Sequence, residues 1–417
     1  MEQVQTRPLE LVSSRHGAIS IEQPSRLVAA LYLTTLALLP WTWFPPFPWL
    51  HEHAQWSDVV FAATALLWAI DLMRKRRWPT FSAAHIALAS YFIAAALSLV
   101  LTHSYATNSV LKLFGIGELC ALALVTGDLA THPHIASGMA RVTAVNALLI
   151  AAVCIVALGL FYAGISTPFI GHYGELNGSS AYARMQAGTY NPNLLASYCI
   201  FAASIVSLRD ASLPKWMRRA GLVASWIAVV FSLSRGILGF ILSALIRNAR
   251  SSWKRILAVV TAVLFVAIMI LLTVGRLTIN PLQPFNASYH IEPLSVRYQG
   301  AATSLRAITE RPVSGSGPDS HPGSYFANPI DSHMTLINIA ATLGLPALVA
   351  FLSLLLLIWI KRKRPVDLIV WGGLAGLALD SLGQDIEDFR HLWVLIGIVL
   401  AQSLSRKTLN LITNDNQ

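Results

Sequence analysis

Apolar runs of roughly 20 residues, the length a helix needs to cross a bilayer, recur from one end of the chain to the other, with short polar breaks between them. The pattern predicts spans near 27–44, 56–73, 81–102, 107–127, 140–163, 190–208, 220–233, 236–246, 256–274, 333–360, 366–382 and 390–404. Only helices and closed barrels satisfy every backbone group in lipid. The runs are continuous rather than alternating, which excludes a barrel. The expected fold is therefore an all-α polytopic membrane protein of about twelve transmembrane helices. Spans one to nine fill 27–275 and spans ten to twelve fill 333–404, between short tails at 1–26 and 405–417. The longest interruption, 276–332, reads as one large loop that itself contains helical sequence.

Composition agrees: 55% of the residues are hydrophobic and 12% charged, against roughly 25% charged in soluble domains. Charge then orients the spans, because short cytoplasmic loops collect Lys and Arg. With the N-terminus cytoplasmic, 22 of the 30 basic residues fall on inner loops. Both tails are then cytoplasmic and 276–332 is periplasmic. The net charge of +10 is mostly this topology signal and no argument for nucleic acid. Cys120, Cys154 and Cys199 lie inside apolar runs and read as small core hydrophobes rather than a disulfide framework or zinc site. The first run, Leu27 to Phe44, has no small-residue cleavage site and is followed by Pro45, Pro46 and Pro48, so it reads as a retained span.

The outer cations are Lys112, Arg184, Arg235, Arg276, Arg297, Arg306, Arg311 and Arg390. All but one are Arg, whose planar fork matches phosphate and carboxylate oxygens. An anionic ligand is one reading; ordinary headgroup contact is the other. Ser234-Arg235-Gly236 breaks an apolar stretch with basic flanks on both sides, which makes Gly221 to Ile246 a hairpin with Arg235 at its tip. In the large loop, Glu292-Pro293 starts a helix and Arg311-Pro312 ends it. Leu294, Arg297, Ala301, Ser304, Leu305, Ile308 and Arg311 share one side of that helix and Arg306 lies opposite. Arg297 thus interrupts an apolar stripe, either snorkelling to headgroups or entering a shared cavity. Ser314-Gly315-Ser316-Gly317-Pro318 is a turn or hinge, with a phosphate cradle as the weaker alternative.

Asn191 caps a helix whose first turn holds Pro192. His333 follows Asp331-Ser332 and opens the 333–360 helix, with Gly344 on the same face eleven residues on. It is either an interfacial His or a base. Asp385-Ile386-Glu387-Asp388 comes nearest to a carboxylate metal motif in an outer loop, but reads as solvated. Asp58, Asp71, Glu118 and Asp380 read as lying near span ends, and no internal repeat is clear.

Taken in order, Asn191-Pro192-Asn193, Ser234-Arg235-Gly236, Arg297, Arg311-Pro312 with Gly315-x-Gly317, and His333 with Gly344 resemble the O-antigen ligase and polymerase superfamily. These motifs cover Tyr190 to Gly344, and the span count extends the resemblance along the chain. Met334 and Ala347 depart from the usual pattern, which has an amide or Ser after the His and a Gly, Thr or Tyr near Ala347. The resemblance implies a multi-pass enzyme of the bacterial inner membrane with its active site facing the periplasm. It would move polysaccharide from undecaprenyl pyrophosphate to lipid A–core; direct attack would invert the anomeric centre, and the lack of a clear paired-carboxylate motif beside the excess of outer Arg leads to an expectation of no metal and no cofactor. It casts His333 as base and Arg235 and Arg297 as catalytic cations, with Arg184 and Arg311 as lesser substrate-binding ones. A polymerase or a protein O-oligosaccharyltransferase would share these residues. A lipid-linked glycan transporter is the reading from another class.

Overall fold

The structure, a computed structural model, describes residues 23–42, 54–76, 81–165, 167–173, 182–208, 212–248, 300–321, 332–360 and 368–401. It is mostly helical. The helices are α1 Arg26–Leu38, α2 Trp56–Arg74, α3 Ala83–Leu101, α4 Thr107–Leu129, α5 Pro133–Tyr162, α6 Pro192–Val206, α7 Lys215–Phe231 and α8 Gly236–Asn248. They continue with α9 at 300–310, α10 Thr335–Leu343, α11 Leu345–Ile360, α12 Leu368–Asp380 and α13 Arg390–Ala401. Four of these, α2 to α5, are long and apolar enough to cross a membrane. Six more are apolar but run 10–17 residues. The expected span at 256–274 lies outside the described residues.

Two features were not expected from the sequence. Between α5 and α6, β1 Ile170–Tyr173 and β2 Tyr182–Met185 form an antiparallel pair, Ile170 opposite Met185 and Tyr173 opposite Tyr182. The 333–360 helix is two helices, because Gly344 stands at φ 86 between α10 and α11. A side chain at Gly344 would need left-handed backbone, and its Cβ would lie 2.1 Å from the Val313 carbonyl oxygen. The broken helix ends are satisfied by the 312–317 turn: Ser316 N–H donates to Ala341 O (2.8 Å), Gly317 N–H to Thr342 O (2.9 Å), and Leu345 N–H to Pro312 O (2.8 Å). A residue distant in sequence therefore decides where this helix stops.

Other boundaries follow local chemistry. The Asn191 side chain accepts from Asn193 N–H at 2.8 Å and Pro192 opens α6, as expected. Helix α5 begins earlier than expected because His132 and Pro133 start it. Helix α2 opens with Gln55 N–H donating to Asp58 Oδ2 at 2.7 Å.

Helices α6 and α13 form the centre. All of α6 except Asn193 is buried, and from His391 to Ala401 α13 is buried as well. α6 packs against α5, α7, α8 and α12. Helices α8 and α12 cross at Gly239 and Gly376, where a Cβ on Gly239 would meet the Gly376 carbonyl oxygen at 2.3 Å. Such close backbone contact is how helices associate where lipid removes the hydrophobic drive between them. The crossing fixes the start of α8, and with it the turn that carries Arg235. All three cysteines are buried and free.

The contacts separate the two ends of the bundle. At the basic end Ser25 N–H donates to Asp71, Lys75 pairs with Asp71, and Ser212 bonds Ser137. At the other end Tyr190 N–H donates to Thr42 Oγ1, Arg390 pairs with Asp58 and Thr335 N–H donates to Ser381 O. The polar chemistry of interest lies at this second end.

Candidate functional site

The α7–α8 turn and strand β2 meet at the exposed end of α6. Leu233 takes φ 47 to turn the chain after α7, and Ser234 Oγ accepts from Gly236 N–H at 3.2 Å to begin α8. Ser234 Oγ also donates to Asn193 Oδ1 at 2.8 Å. The same Oδ1 accepts from Arg184 Nη2 at 2.9 Å, while Arg184 Nε donates to Ser232 O at 3.0 Å. Asn193, the one α6 residue left unburied, thus ties β2 to the turn. Arg235 follows Ser234 and is exposed, and among the described residues no acceptor engages its guanidinium. Its pKa is lowered by the protein packed round it and then by the like charge of Arg184. Among the described residues Arg235 thus has a like charge, Arg184, for its charged neighbour and no carboxylate against it. The hairpin expected over Gly221 to Ile246 is splayed, since α7 packs on α5 and α6 and α8 on α12 and α6.

On the far side of Gly236 stands Asp380, the last residue of α12. A Cβ on Gly236 would lie 3.2 Å from Asp380 Oδ1, and Asp380 Oδ2 accepts from Ser197 Oγ. The next residue, Ser381, accepts from Thr335 N–H at the start of α10. The α12 end thus stands between the Arg235 turn and the segment carrying His333. His333 is not inside a helix as expected: it is half-buried at φ 50, and the helix starts at Thr335. Ser332 does not cap that helix; its Oγ accepts from Met334 N–H at 3.3 Å. Asp331 lies outside the described residues.

Arg297 also lies outside the described residues. Arg311 is exposed just past α9, on a segment packed against α3 and the α10–α11 break, where Ser98 Oγ donates to Thr342 O at 3.1 Å. Along α9 Gly300 and Ser304 are buried, and Leu305, expected on the inner stripe, is 51% exposed. The Gly315–Gly317 segment is a turn, not a phosphate cradle. Its three N–H groups already donate to Arg311 O, Ala341 O and Thr342 O.

A second polar cluster at the same end escaped the sequence reading. Arg390 makes a forked ion pair with Asp58, and the Glu118 carboxyl lies near both. Glu118 stands midway along the 23 residues of α4, not near its end. Lys112 pairs with Asp388. Glu387, expected in a solvated loop, is 5% exposed. Its carboxyl is pushed up to about 7 by burial first and then by Asp388, with Lys112 and the hydrogen bond from Asn338 opposing. Lys112, Glu118, Glu387, Asp388 and Arg390 border a cavity of about 250 Å³ lined by residues of α3, α4, α6, α10 and α13 and by the segment after α1. An apolar run beginning at Arg390 with three acids just before it was the available signal. Its partners are too distant in sequence to be paired by inspection. Among the described residues no three His, Cys, Asp or Glu side chains converge to hold a metal ion. Neither a family model nor a curated protein matches the chain.

Proposed function

We propose that the chain is an O-antigen ligase of the bacterial inner membrane, with twelve spans and its outer end, including the 276–332 loop, in the periplasm. It moves polysaccharide from undecaprenyl pyrophosphate to a sugar of lipid A–core, in lipopolysaccharide biosynthesis. The observation that carries this reading is the α7–α8 turn, where Arg235 stands exposed and Arg184 is held to the same turn through Asn193 and the Ser232 carbonyl. Such a pair suits the doubly charged leaving group of a lipid pyrophosphate, whose negative charge grows as the glycosidic bond breaks.

In the proposed reaction an acceptor hydroxyl attacks the anomeric carbon on the face opposite the pyrophosphate. The new C–O bond forms as the old one breaks, and the bonding pair leaves on the pyrophosphate oxygen. The configuration inverts and the hydroxyl proton passes to His333. Arg235 and Arg184 hold the departing anion, with Arg297 and Arg311 as further cations for the donor. The reaction proceeds without a metal ion.

A polymerase or protein O-oligosaccharyltransferase would use the same residues on another acceptor. A transporter is favoured by one observation, the ionisable Glu118 midway along an apolar helix. The deciding experiment combines purified protein, lipid-linked glycan and lipid A–core with no added nucleotide. Glycan-bearing lipid A–core is expected. No product, together with movement of the lipid-linked glycan across proteoliposomes, would establish the transporter instead.

A further inference from the structure

Asn193 stands where β2, the start of α6 and the α7–α8 turn meet. Its Oδ1 accepts from Arg184 Nη2 at 2.9 Å and from Ser234 Oγ at 2.8 Å. A guanidinium only donates, so the atom facing Arg184 is the amide oxygen and the two ends of the amide cannot be exchanged. The Ser234 hydroxyl is oriented as well. Its oxygen accepts from Gly236 N–H at 3.2 Å, which leaves its hydrogen for Asn193. Asn193 is itself held, because its backbone N–H donates to Asn191 Oδ1 at 2.8 Å and its neighbours Pro192 and Leu194 are buried.

Arg184 meets this anchor along one edge. Its Nε donates to Ser232 O at 3.0 Å and its Nη2 to Asn193 Oδ1, so the side of the planar guanidinium that carries Nε is held by the protein. The edge between Nη1 and Nη2 is turned away from those two acceptors. Both acceptors are neutral, so they fix the group without cancelling its charge. Arg235 directly follows Ser234, and the Arg184 charge acts on it. Arg grips a phosphate through a two-donor edge, and cations set in place beforehand lose little freedom when the anion arrives. We propose that Asn193 is a positioning residue for a lipid pyrophosphate: through one amide oxygen it sets the outer edge of Arg184 and the Arg235 turn in register, so that both cations meet the same anion. That this anion is the glycan donor's leaving group rests on the ligase reading.

The test measures equilibrium binding of undecaprenyl pyrophosphate to the full chain in detergent, with thermal melts and ligation followed on the same preparations. The proteins are native, Asn193→Ala, Asn193→Asp, Arg184→Gln and the double variant Asn193→Ala with Arg184→Gln. Asn193→Ala and Arg184→Gln should each weaken binding at least about tenfold, or 1.4 kcal/mol. Because both act on one arrangement, the double variant should lose less than the product of the two single losses. Asn193→Asp keeps an acceptor for Arg184 and Ser234, so it should melt near native. It should still bind at least about tenfold more weakly than native, because its charge offsets that of Arg184. This variant keeps the test open should Asn193→Ala fail to fold. Near-native binding by folded Asn193→Ala, fully multiplicative losses, or native binding by Asn193→Asp overturns the proposal, and native ligation beside any of these leaves the ligase reading standing. The expected pattern of binding with no ligation by the native protein upholds the proposal and counts against the ligase reading alone. Failure of the native protein to bind the probe overturns both.

Discussion

Arg235 and Arg390 sit at the same end of the bundle and begin as equals in sequence: each is an Arg in a short outer segment at the start of an apolar helix. Their settings differ. Arg390 forks onto Asp58, across 332 residues of chain, in a pair that is mostly buried. Arg235 has Arg184 for its charged neighbour and stands exposed. The first arrangement satisfies a cation, and the second sets it beside a like charge. A count of outer cations mixes the two kinds, and only the placement of carboxylates tells them apart. Lys112 belongs with Arg390, since Asp388 meets it.

The contrast is broken most forcefully at the first region. His333→Ala should lower turnover about 10²–10⁴-fold, the usual cost of losing a general base, with donor affinity and thermal stability held near native. Turnover and donor binding measured on one preparation check this, and near-native turnover would remove His333 from its role. At the second region the effect should fall on stability. Arg390→Ala leaves Asp58 buried without its partner, at a cost of about 3–5 kcal/mol. A thermal melt in detergent should show a large fall. An unchanged melting temperature would mean that the pair is no staple.

A smaller effect should appear with pH. The Glu387 carboxyl, raised in the folded state to about 7 from an ordinary 4.5, favours folding while both states are protonated. Stability from this group is therefore complete below about 4.5 and lost as pH rises through about 7. Glu387→Gln should flatten that slope in melts recorded between those limits; an unchanged slope would assign it to other groups. The smallest effect belongs to Lys112→Ala. Its pair with Asp388 is partly exposed, the two side chains at 25% and 46%, and such pairs contribute about 0.2–1 kcal/mol. A loss of several kcal/mol would make this pair a second staple.

The features legible in sequence were local. The cap at Asn191 and Pro192, the break at Ser234-Arg235-Gly236 and the long apolar helices all follow from neighbouring residues, and the structure has them. What was missed depends on partners far along the chain. Gly344 interrupts a continuous apolar run because the Val313 backbone packs against it. Glu387 reads as a loop acid because nothing nearby shows that Asn338 and α13 cover it. Glu118 was legible and misplaced: simple counting along α4 puts it at mid-helix. In the candidate site, the residue types of Arg184, Arg235 and His333 were readable. The bridge through Asn193 that joins β2 to the Arg235 turn was not, because the strand pair itself was unforeseen.

The central claim is that Arg235 awaits an anionic ligand while Lys112 and Arg390 at the same end are already matched. Equilibrium binding of undecaprenyl pyrophosphate to native protein, Arg235→Gln and Lys112→Gln tests it most directly. The account predicts that Arg235→Gln weakens binding at least about tenfold, or 1.4 kcal/mol, while Lys112→Gln stays within about twofold of native. Equal losses in both variants, or a loss confined to Lys112→Gln, would contradict it.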